Sequence, residues 1–153
     1  MSIFSDQFSI VMVEDDEGHA RLIEKNLRRA GIGNDMTHIA NGAEAIEFFF
    51  GKDGGNQKHE QTLLLLDLNL PEIDGYEIIK RMKGDERTKA IPIIVLTTTD
   101  NPREIDRCYD LGCNVYITKP VEYDNFSDAI RKLGLMLAVV KVPQGFKFWK
   151  TNA

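Results

Sequence analysis

The stretch Leu63-Leu64-Leu65-Leu66-Asp67-Leu68-Asn69-Leu70-Pro71-Glu72-Ile73-Asp74-Gly75 decides how the rest of the chain is read. Four consecutive leucines end in one aspartate, and a turn punctuated by Pro71, Asp74 and Gly75 follows at once. An apolar run of this kind between turn residues predicts a strand buried on both faces. Asp67 then stands at the carboxyl end of that strand, the rim where open parallel sheets bind ligands. Taken alone, Asp67 also reads as a cap for the turn or helix that follows. The flanking sequence decides between the two.

Upstream, Ser9 to Val13 is rich in β-formers and stops at Glu14-Asp15-Asp16, a strand ending in three carboxylates. Glu17 to Ala30 follows as a helix with Ala20, Ile23, Leu27 and Ala30 on one stripe, stopped by Gly31 and Gly33. A short strand is expected at about Asp35 to Ile39. Asn41 then caps a strongly apolar helix carrying Ala45, Ile46, Phe48, Phe49 and Phe50, with Glu44 placed as in a capping box. Gly51 to Gln61 is polar and reads as a surface loop, near the upper end of ordinary loop length.

Downstream, a helix runs from about Tyr76 to Lys83 with Ile78, Ile79 and Met82 inward, and Gly84 ends it. Ile91 to Leu96 is a fourth strand, with Pro92 tolerable near its start, followed by Thr97-Thr98-Thr99. Asn101, Pro102 and Glu104 open a helix that reaches Leu111 and stops at Gly112. Asn114 to Thr118 is a fifth strand, followed by Lys119-Pro120. A last helix from about Tyr123 places Phe126, Ile130, Leu133 and Leu137 on one face, and Pro143 closes it. Strands alternating with helices predict an α/β fold, a parallel sheet covered on both sides. With right-handed crossovers, the flavodoxin-like (βα)5 arrangement with strand order 2-1-3-4-5 fits, followed by a C-terminal tail.

The 153 residues suit one domain, expected over residues 1–138, with residues 139–153 as an extension. Hydrophobic content of 42% and charged content of 28% are those of an ordinary globular protein. A net charge of -5 argues against broad binding to nucleic acid, which needs basic surface. No segment approaches the ~20 apolar residues of a membrane span, and the N-terminus lacks a signal-like core. A cytoplasmic location is the expectation. Cys108 and Cys113 fit neither a zinc nor a redox motif and read as buried free thiols. His19, His38 and His59 share no metal-ligand spacing and read as surface residues.

The polar residues that follow the strands form a set. Glu14 and Asp15, Asp67, Thr97 and Lys119 fall at four strand ends, which the expected topology gathers on one rim. The crowded carboxylates of Glu14, Asp15 and Asp67 would either raise a pKa or demand a cation. A few hard oxygen ligands suit Mg²⁺ better than zinc. A metal-bound carboxylate can act as nucleophile toward a phosphoryl group, with Lys119 neutralising an oxygen and Thr97 donating a hydrogen bond. Asp16 reads as a solvated helix-start residue rather than a further pocket acid.

Glu14-Asp15, the turn from Asp67 through Pro71 to Asp74-Gly75, Thr97 and Lys119-Pro120 together resemble the response regulator receiver domain of two-component signalling. The resemblance covers roughly Ser9 to Leu133. It implies that Asp67 is the phosphoacceptor, and that Mg²⁺ is held by Asp15, Asp67 and the backbone carbonyl of Asn69, with Glu14 helping through water. Mn²⁺ or Ca²⁺ could take its place in crystals. It also implies that Thr97 and Lys119 contact the phosphoryl group, that Thr97 and Tyr116 form a switch pair, and that the bond before Pro120 is cis. Side chains at Asn69 and Thr99 occupy positions that tune dephosphorylation in relatives.

The resemblance implies a regulatory domain that catalyses only its own phosphorylation and dephosphorylation. A sensor histidine kinase would serve it, with a histidine phosphotransfer protein as an optional further partner. Few residues follow the last predicted helix, so a stand-alone receiver is expected. The long loop and the aromatic tail look similar to receivers that partner bacteriophytochrome histidine kinases. Exposing Phe146, Phe148 and Trp149 would cost about 1.5–3 kcal/mol for each large apolar side chain, so the tail is expected to fold back or to join a homodimer. Two other classes compete. A haloacid-dehalogenase-like phosphatase needs an acid two residues after its nucleophile, where this chain has Asn69. A phosphorylation-independent interaction module would leave Asp67 unmodified.

Overall fold

In a computed structural model, residues 9–29, 32–51, 62–99 and 101–118 are described. Strand β1 (Ser9–Val13) leads to α1 (Glu17–Arg29), β2 (Met36–Ile39), α2 (Gly42–Phe50), β3 (Thr62–Leu66), α3 (Gly75–Lys83), β4 (Ile93–Thr97), α4 (Pro102–Leu111) and β5 (Val115–Thr118). The five strands form one sheet in the order β2-β1-β3-β4-β5. All four pairings are parallel. This is the expected flavodoxin-like sheet. The expected last helix from Tyr123, the tail, the boundary at residue 138, His59, most of the 51–61 loop, Lys119 and Pro120 lie outside the described residues.

The leucine run explains the centre of the sheet. Leu63, Leu64, Leu65 and Leu66 alternate between two cores, because successive strand side chains point to opposite faces. Leu63 and Leu65 join Ile10, Met12, Ile94 and Leu96 against Ala20, Ile23 and Leu27 of α1. Leu64 and Leu66 join Val11, Val13, Ile93 and Val95 against Phe49 of α2, Ile79 and Met82 of α3 and Cys108 of α4. Every residue of β3 and β4 is buried.

Helix ends follow the predicted caps at Asn41 and Asn101, and Asp74, read from sequence as turn punctuation, adds a third. The Asn41 side chain accepts from Glu44 N at 2.8 Å, Asp74 from Glu77 N at 3.0 Å and Asn101 from Arg103 N at 2.9 Å. Each oxygen satisfies one of the donors a helix start leaves unpaired. Gly112 ends α4 with φ of 112°, a left-handed conformation that suits glycine.

The strand boundaries shift for identifiable reasons. The fourth strand begins at Ile93 rather than Ile91. Pro92 has no N–H to give a ladder, although its carbonyl accepts from Leu64 N at 3.0 Å. Thr97, expected just beyond this strand, is its last residue. Asn114, expected as the start of the fifth strand, instead uses its side chain to accept from Ile93 N at 2.8 Å. Cys108 and Cys113 are buried free thiols, as expected.

Candidate phosphoryl and metal site

Strand adjacency brings Asp67 to the acids after β1. The paired register ends at Val13 beside Leu66, and Asp67 N donates to the Val13 carbonyl at 3.0 Å. The next residue of each chain segment therefore carries a carboxylate at one sheet edge. Carboxylate oxygens of Glu14, Asp15 and Asp67 lie within 4.8 Å of one another. Glu14 is 2% exposed and Asp67 8% exposed, whereas Asp15 is exposed. Like charges so close, two of them largely desolvated, favour uptake of a cation. An all-oxygen donor set suits a hard divalent ion, so the residues present fit a metal.

Each acid is held by its own surroundings. The Asp67 side chain accepts from Asn69 N at 3.0 Å, a local bond of the type that fixes Asx turns. Glu14 accepts from Asp16 N at 3.3 Å and has His19 Nδ1 at 3.8 Å from its carboxylate. Asp16 has a different role. Its side chain accepts from His19 N at 2.9 Å, capping α1, which is the helix-start role the sequence suggested.

Thr97 is fully buried at the end of the neighbouring strand. The amide of Asn69 donates to its hydroxyl at 3.4 Å, so Asn69 ties the Asp67 turn to β4. Tyr116 on β5 is half-buried, and its hydroxyl donates to the Thr99 carbonyl. Its backbone N–H donates to the Tyr109 hydroxyl at 3.0 Å. Thr97 and Tyr116 thus occupy adjacent strands, offset along the ladder, since Tyr116 pairs with Val95 and Thr97 with Thr118. Lys119 would follow β5 directly, outside the described residues.

The turn after Asp67 is packed against two glycines. A Cβ at Gly75 would lie 2.7 Å from Leu68 Cα and 2.8 Å from the Asp67 carbonyl oxygen. One at Gly42 would overlap the Ile73 carbonyl oxygen. Both contacts are with backbone, which cannot swing aside. Gly75→Ala is therefore expected to cost about 1–3 kcal/mol, as overpacking does. Urea unfolding at equilibrium measures it.

Two groups were missed by sequence reasoning. His38 is exposed, as expected, but its Nε2 lies 2.7 Å from the Glu14 carbonyl oxygen. Tyr76 is buried at the start of α3; its hydroxyl donates to Glu104 of α4, and the Arg107 guanidinium lies 3.9 Å from its ring centre. Burial and the hydrogen bond to Glu104 push its phenol well above the usual tyrosine range. Neither contact has a sequence signal, because each joins elements far apart in the chain.

A family model described as the response regulator receiver domain matches residues 10–131. The probable methanogenesis regulatory protein FilR2 of Methanothrix harundinacea is 32% identical over 128 residues, covering 84% of this chain and 82% of that protein. Response regulator Rcp1 of Synechocystis is 34% identical over 110 residues, 72% of this chain and 75% of Rcp1. Among solved structures, a response regulator receiver domain from Rhodospirillum rubrum is 52% identical with a TM-score of 0.83, covering 89% of this chain and 97% of that one. The Mn²⁺-bound form of Rcp1 superposes with a TM-score of 0.77 at 29% identity, covering 89% and 99%. The bacteriophytochrome response regulator RtBRR gives 0.67 at 29% identity, covering 95% and 89%.

Proposed function

This chain belongs to the response regulator receiver domain family, and on that premise we propose that Asp67 accepts a phosphoryl group from a sensor histidine kinase. Receiver domains are regulatory phosphoacceptor modules that bind a divalent metal in an acidic pocket. The observation that carries the proposal is the convergence of Glu14, Asp15 and Asp67 oxygens within 4.8 Å.

Mg²⁺, held by Asp15, Asp67 and the Asn69 carbonyl with Glu14 acting through water, would draw charge from the phosphoryl oxygens when bound. The chain's own residues supply the rest. An ionised Asp67 oxygen attacks phosphorus, the O–P bond forms, and the bond to the donor breaks with its electron pair leaving on the donor. No general base is needed. Lys119 neutralises a phosphoryl oxygen, and Thr97 donates its hydroxyl to another after releasing Asn69. Positioning and charge are most of what phosphoryl transfer requires. The Thr97 movement frees space into which Tyr116 shifts, exchanging its bond to Thr99.

The RtBRR likeness supports a bacteriophytochrome as the kinase; a histidine phosphotransfer protein is a further partner in this reading. Residues 1–138 form the receiver in this reading, and residues 139–153 contribute to a homodimer. A cytoplasmic location suits a kinase-served module; among the described residues no helix is long and apolar enough to cross a membrane. Asn69 cannot give a proton to a leaving group as a dehalogenase-type phosphatase requires.

The test is intact mass after incubation with acetyl phosphate. Wild-type protein is expected to gain one phosphoryl group in Mg²⁺ and none in excess EDTA. Equal labelling in EDTA, or steady hydrolysis of p-nitrophenyl phosphate, would remove this reading.

A further inference from the structure

We infer that His38 is a positioning residue for the acidic pocket, holding the Glu14 backbone so that its carboxylate faces Asp67. This rests on the proposed role of the pocket in metal binding and adds a residue to it.

The geometry begins with strand register. Val13 pairs with Ile39, and Glu14 N donates to the Ile39 carbonyl at 3.0 Å. In a parallel ladder the Glu14 carbonyl would next accept from the N–H of Asn41. The chain leaves the sheet there: β2 ends at Ile39, and Asn41 caps α2. His38 reaches back and fills the position, with Nε2 at 2.7 Å from the Glu14 carbonyl oxygen. A carbonyl oxygen only accepts, so Nε2 carries the proton and donates.

Glu14 is consequently held by its N–H through Ile39, by its carbonyl through His38 and by its carboxylate through Asp16 N. The contact to the carbonyl is made by a side chain from the neighbouring strand, the His38 imidazole. It crosses from the edge strand to the residue whose carboxylate is 2% exposed beside Asp67. Groups that orient metal-binding carboxylates are worth about tenfold or more in metal affinity. The imidazole also borders a cavity of about 140 Å³ together with Met12, Ala20 and Glu24. A flexible side chain therefore fits in its place without overpacking.

The experiment titrates full-length wild-type, His38→Ala and His38→Gln proteins with Mn²⁺ alone, following free Mn²⁺ by electron paramagnetic resonance, with Tm recorded for each. Glutamine keeps an N–H donor at similar reach. His38→Ala is expected to weaken Mn²⁺ binding about tenfold, with Tm close to wild type, and His38→Gln to restore most of it. Wild-type binding with an unaffected His38→Ala overturns this inference alone. So does a loss that follows Tm and that glutamine does not repair. Failure of the wild type to bind Mn²⁺ overturns the pocket's metal role and this inference together.

Discussion

Asp67→Asn is expected to take no phosphoryl group from acetyl phosphate in Mg²⁺, while folding as well as the wild type or better. The two halves of this result have one cause. The substituted amide would keep the shape of the side chain, including an oxygen able to accept from Asn69 N, as the Asp67 carboxylate does at 3.0 Å. It removes the negative charge that makes the oxygen a nucleophile. It also removes one of three carboxylates clustered within 4.8 Å, so repulsion in metal-free buffer falls. Tm without metal should then equal or exceed that of the wild type, and the gain in Tm from added Mg²⁺ should shrink. A variant that lost labelling because it had unfolded would show the opposite change in Tm.

Leu65→Ala carries the second large effect, on stability. Leu65 is 1% exposed, at the centre of the sheet with Met12 opposite on β1 and Ile94 opposite on β4. Its side chain packs in the core beneath α1 with Ile23 and Leu27. Removing a buried leucine costs about 2–5 kcal/mol, the upper part of that range where the surroundings cannot collapse. A strand held on both sides cannot move inward, so about 3–5 kcal/mol is expected. That is a large share of the ~5–15 kcal/mol that stabilises a typical domain. Urea titration at equilibrium, comparing midpoints at a common slope, measures it.

The parts of the molecule that could be read from the chain are those written in short-range patterns. The leucine run, the capping residues Asn41 and Asn101, and the stops at Gly84 and Gly112 each act over a few residues. Their elements appear where expected, to within one or two positions. The order β2-β1-β3-β4-β5 followed from handedness rules and element count, and placing Glu14, Asp15 and Asp67 together followed from that order. The resemblance to receiver domains then supplied roles that no single residue announces.

What escaped the reading is set by details of three-dimensional register. Nothing in the spacing of His38 and Glu14 says that an edge strand ends too early to complete its ladder. Tyr76 meeting Glu104 depends on how α3 and α4 lie side by side. The tight fit of Gly75 against the Asp67 carbonyl is also invisible in sequence, where Gly75 looks like ordinary turn punctuation. Strand limits moved where a side chain replaced a backbone partner, as Asn114 does for Ile93.

The measurement that bears most directly on the central claim is chemical mapping of the modified residue. Protein phosphorylated in Mg²⁺ is reduced with borohydride, which converts an aspartyl phosphate to homoserine, then digested and sequenced by mass spectrometry. Homoserine in place of Asp67, and of no other aspartate, is the predicted result. Homoserine in place of Asp15 or another aspartate, or a phosphoryl group retained on a hydroxyl or imidazole, would contradict it.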